Sequence, residues 1–246
     1  KVNSTGTAQI DVAFNNTGIL DVQGGQLDLA GGGVSSNSTF KASNTSLLKF
    51  NGGTHDISNS QFLTTDTATI HMALGSVNLD ATSTGTSTSG TTLVSGGIFN
   101  VNNTLLFNDL TVSGGTLGGT GNQTVNGLFQ WTAGTLSGSG TTTVSSTGVL
   151  SIDSTFTPTW DGGRVLVNNS NNAANVWSGI NNLRFNTGGG TFQNNGTLNI
   201  TGTGRLWNSL GTGLFNNAGT LKVNSTGTAQ IDVAFNNTGI LDVQGG

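Results

Sequence analysis

Residues 14–22 read Phe-Asn-Asn-Thr-Gly-Ile-Leu-Asp-Val, a polar turn closed by glycine and followed by alternating apolar and polar residues. The pattern returns at 192–200 as FQNNGTLNI and at 215–223 as FNNAGTLKV. A looser set keeps only Gly-x-apolar-polar-apolar: Gly25–Leu29, Gly75–Leu79, Gly97–Val101 and Gly148–Ile152. Alternation with a period of two is the signature of a strand with one buried face. The Gly, Asn, Ser and Thr clusters before each copy are turn chemistry. A second, shorter turn form is Val94-Ser-Gly-Gly97, repeated at Val112–Gly115, Trp131–Gly134 and Trp160–Gly163. Clear copies often follow one another at a short, uneven interval, as from Gly75 to Gly97, Gly97 to Gly115 and Gly196 to Gly219. No stretch carries apolar residues at helical spacing, and the abundant Gly, Thr, Asn and Ser favour turns and strands.

Strands this short do not stand alone. If the chain returns after each turn, every strand lies about 4.8 Å above its predecessor and the apolar alternates fill one interior. The pattern therefore predicts an all-β chain wound as a parallel β-helix, or β-solenoid, with about 20 residues per coil. Phe14, Phe192 and Phe215 occupy equivalent turn positions, as do Asn16, Asn194 and Asn217. Where their coils adjoin, the rings should stack and the amides should form hydrogen-bonded ladders.

Residues 1–25, KVNSTGTAQIDVAFNNTGILDVQGG, return unchanged as residues 222–246. Packing asks only for similar residue types, so identity over this length points to an array of near-identical units. Residues 1–221 then form one unit and 222–246 begin the next. At about 20 residues per coil a unit makes roughly eleven coils and rises about 50 Å.

Composition narrows the partners. Charged residues are 7% of the chain, the net charge is −4 and cysteine is absent. An acidic, weakly charged surface does not attract phosphate backbones, which excludes nucleic acid. No apolar run reaches the length of a membrane span. The single proline excludes collagen and polyproline.

The recurring Phe-x-Asn-x-Gly-x-Leu-x-Val, with its Gly-Gly and Asn/Thr turns, resembles the repeats of large bacterial exoproteins. These are the filamentous haemagglutinin-like adhesins and autotransporter passenger regions. The resemblance implies a right-handed parallel β-helix, secretion by a bacterium to the cell surface or beyond, and a role as an adhesin or surface fibre. The partners then expected are copies of the same sequence, in tandem or head to tail, with glycans or other fibres as further candidates.

Parallel β-helices also host polysaccharide lyases and hydrolases, which need paired carboxyl groups. The acids here are all aspartates, with no Asp-Asp pair or tight cluster. Asp21, Asp28, Asp56 and Asp80 fall on polar alternates. The two histidines, His55 and His71, have no metal-ligand spacing. Gly31–Gly33 and Gly188–Gly190 lack the Lys-Ser/Thr ending of a phosphate loop. No catalytic, cofactor or metal site is therefore predicted. One surface feature remains. Arg164, Arg184 and Arg205 lie about one coil apart and would stack into a positive stripe for an acidic glycan or a neighbouring fibre. The plainer reading is that they keep a low-charge surface soluble. The function expected is a structural segment of an extracellular fibre, with an adhesin stalk or glycan-binding region as the alternative and a polysaccharide-degrading enzyme third.

Overall fold

The computed structural model describes residues 1–245; Gly246, the last residue of the second copy, lies outside them. Among the described residues the only helical element is one 3-10 turn at Ser154–Phe156, and the rest of the regular structure is strand. The pairings are parallel throughout. The chain winds into a β-solenoid of about 11 turns with about 22 residues per turn.

Each turn has three faces. The first carries Leu20, Phe40, Phe62, Gly85, Leu105, Gln123, Thr142, Leu166, Phe192, Phe215 and Phe235, each in register with the next. The second runs from Ala8 through Leu27, Leu48, Ile70, Thr92, Leu110, Phe129 and Leu150. It ends with Leu198, Leu221 and Leu241. The third climbs from Gly33 through His55, Val77, Phe99, Leu117, Leu136, Trp160 and Phe185. All three columns point inward, so one uninterrupted core runs the length of the stack. Its largest members are Trp131, Trp160 and Trp177. Each apolar side chain so covered contributes about 1.5–3 kcal/mol.

Coil length is not constant. The coil that carries Phe99 round to Leu117 is short, whereas the one that carries Leu166 round to Phe192 is much longer. The extra residues lie in turns such as 169–175, between the strands Val165–Asn168 and Val176–Ser178. A corner is the place where the stack tolerates added chain. The strand Thr220–Val223 crosses the unit boundary with its pairing on both sides intact.

The Val-Ser-Gly-Gly turn has a geometric cause. Gly53, Gly75, Gly97 and Gly115 stack at the corner between the second and third faces, each with positive φ. At Gly97 φ is +61°, and an added Cβ would lie 2.5 Å from the Gly75 carbonyl oxygen one coil below. Only glycine meets both conditions. Gly97→Ala should therefore cost about 1–3 kcal/mol. Gly18→Ala, where a Cβ meets nothing closer than 3.9 Å, should cost under about 1 kcal/mol. Urea unfolding of the two variants side by side checks this; equal losses would refute the corner argument.

Candidate functional site

The turn ladders form at one end of the stack. The Phe192 and Phe215 rings lie 4.9 Å apart and 10° from parallel, and Phe235 continues the column at 5.2 Å. Beside them runs the asparagine ladder. The Nδ2 of Asn168 donates to Oδ1 of Asn194 at 2.8 Å, Asn194 to Asn217 at 2.7 Å, and Asn217 to Asn237 at 2.7 Å. The same amides also donate across the turn of the next coil, to the carbonyls of Thr197, Thr220 and Ile240. Each asparagine thus pins two coils and one corner. Asn168 and Asn194 are fully buried, so an unpaired amide there would cost about 1–3 kcal/mol.

Phe14 and Asn16 stand at the other end of the stack and do not join this ladder; their copies Phe235 and Asn237 do. Phe14 packs edge-on against Phe40 at 6.5 Å. The Asn16 amide N–H donates to Ser35 Oγ at 3.0 Å. Asn168 lies outside the Phe-x-Asn-x-Gly pattern. The only clue to it in sequence is the Asn-Asn pair at 168–169.

The arginine stripe does not form. One coil here takes more chain than separates one arginine from the next, so equal spacing in sequence does not bring the three into register. Arg184 lies under Trp207, and Arg205 lies under Gln230. Arg205 packs over the Trp207 ring at 5.3 Å and pairs with Asp232. Arg164 is fully buried. Its Nε donates to Thr142 Oγ1 at 3.2 Å, and its Nη1 donates to the carbonyls of Ser137 at 2.8 Å and Gly119 at 3.3 Å. Burial brings its pKa down to about 10, so it stays charged at neutral pH. It is an internal clamp across successive coils, unable to touch a glycan.

The carboxylates serve the turns. Asp56 and Asp80 line a hollow of about 200 Å³ on the third face. Asp56 accepts from Asn78 at 2.7 Å, while Asp80 accepts from Thr82, Ser83 and the Asn59 amide. Asp28 is on a polar alternate yet only 5% exposed, covered by Gln26, Lys49 and Asn51. Among the described residues no three His, Cys, Asp or Glu side chains converge on a point that could hold a metal. No helix there is long and apolar enough to cross a membrane.

The most distinctive surface is the end of the stack beyond Val223. It opens as an apolar basin of about 540 Å³ lined by Val223, Ala229, Ile231, Phe235, Leu241 and Val243. The repeat supplies its own control. Leu20 and Val22 are 7% and 0% exposed under the next coil, whereas their copies Leu241 and Val243 are 46% and 64% exposed. The same side chains are core in the first copy, where a coil follows them, and surface in the second, where no further coil follows among the described residues.

His55 sits inside the third face, edge-on to Phe50 at 4.9 Å, and burial lowers its pKa. His71 is lowered by burial and then by Lys49. Both are neutral in the fold and protonate more readily once unfolded. Stability is therefore full above the ordinary value of 6.5 and falls as pH drops from 6.5 toward the folded values. The urea midpoint should be lower at about pH 5 than at about pH 7.5, and His55→Leu should flatten that dependence. An unchanged slope in the variant would exclude His55 as the source. Comparison with protein families, with curated proteins and with solved structures finds no match to this chain.

Proposed function

We propose that the chain is a unit of a structural filament, extracellular or on a bacterial cell surface, built by continuing the same β-solenoid from unit to unit. The observation that carries this reading is that the repeated segment folds in the same register in both copies, Val2 with Val22 and Val223 with Val243. A coil that is core-competent at both ends of its range is made to be covered. The segment that covers its first copy, Gln26 onward, belongs to this same sequence. Open parallel edges pair with whatever strand arrives, and a unit of identical sequence is the partner already in register. The function is mechanical: a stiff rod whose length is set by the number of units. The low charge and the resemblance to exoprotein repeats agree with a place outside the cell.

Electron microscopy tests this. The chain extended by one further copy of residues 26–246 should form unbranched rods longer by about 50 Å than the chain alone. A compact particle, or two rods joined by a flexible link, would refute the continuous filament. Immunogold labelling of intact source cells should decorate their exterior; label confined to the cytoplasm would refute the extracellular placement.

A further inference from the structure

We infer that successive units step round the stack by one face, so that one unit is not the vertical translate of the last. This rests on the filament reading for the existence of successive units; the step itself comes from register alone. Leu20 lies under Phe40 on the first face, but its copy Leu241 lies over Leu221 on the second. Val22 pairs with Ala42 on the first face, and its copy Val243 pairs with Val223 on the second. Phe14 donates its amide to Gly32, at the edge of the third face, whereas Phe235 pairs with Phe215 on the first. Every element of the repeated segment has moved on by one face.

The first-face column takes ten steps from Leu20 to Phe235, and Leu241 follows one face later. A unit is therefore ten turns and one third. Rounding to about eleven coils hides this fraction. Because coil lengths vary, nothing in the winding forces a unit to close on a whole turn.

The chain also fixes how the next unit sits. Ala8 and Ile10 carry Leu27 and Leu29 on the second face. Their copies, Ala229 and Ile231, line the open basin on the third. A following Gln26–Leu29 thus seats on the third face, and each later face of that unit is displaced in the same sense. The outer row Asp56–Asn78–Asn100, joined by bonds of 2.7 and 2.9 Å, lies on the third face here. It would lie on the first face in the next unit and on the second in the one after. Any feature of one face is then displayed on all three sides of the filament and returns to its starting side after three units, about 150 Å.

A single label per unit tests the step. Ser146 is exposed in the turn between the first and second faces, and the chain has no cysteine. The 246-residue chain would be extended by three further copies of residues 26–246, each unit carrying Ser146→Cys tagged with a small gold cluster. In cryo-electron maps the tags should sit about 50 Å apart along the axis. They should occupy the three edges of the stack in turn, with the fourth returning to the edge of the first. A continuous rod with all tags on one edge overturns the step and leaves the filament standing. A chain that forms no continuous rod overturns both.

Discussion

The whole molecule depends on parallel, in-register stacking at about 4.8 Å. Each side chain meets the corresponding side chain of the next coil, so the column and not the strand is the unit of selection. Like on like is the cheapest solution, and the chain uses it in three chemistries. Phenylalanines stack in the column that ends at Phe235, asparagines donate to asparagines beside it, and glycines follow glycines at the corner of Gly53 to Gly115. Where the column breaks, packing suffers. Gly85 lies between Phe62 and Leu105, and a void of about 10 Å³ opens beside it.

The middle of the stack solves the same problem with polar groups. Gln123 and Thr142 occupy positions in the first column that Leu and Phe fill elsewhere, and both are fully buried. Arg164 reaches in beside them and binds carbonyls on successive coils below its own. A buried cation without a carboxylate is costly, and here it is offset by several hydrogen bonds to neutral acceptors. What the cluster adds is specificity. Apolar columns can slide by a rung at modest cost, but Arg164 meets Thr142, Ser137 and Gly119 together in only one register.

The fold is legible in the sequence because each strand copy is local: a glycine, an alternation and a turn carry their own meaning. The Asn194–Asn217 and Phe192–Phe215 contacts are legible for the same reason, since those coils are adjacent and bear matching turns. What fails is arithmetic over distance. Arg164, Arg184 and Arg205 are evenly spaced in sequence, but each coil between them takes up more chain than that spacing supplies, so they fall out of register. Burial of Arg164 is hidden too, because it precedes its strand at a corner, where alternation gives no inside or outside. Asp28 shows the same limit from the other side. It points outward as its alternation requires, yet the long side chains of Gln26 and Lys49 close over it.

In a stack of this kind stability is close to a sum of nearest-neighbour terms, so an end coil has about half the contacts of an interior one. That makes the repeated segment a direct measure of what a junction is worth. The contacts a following unit would make on Thr228–Val243 are those Gln26 onward already makes on Thr7–Val22, residue for residue. A junction built this way is neither a weak hinge nor a special interface, because no contact in it differs from the interior. The filament then has no preferred point of failure at its unit boundaries, and its boundaries would be visible only as the step from one face to the next.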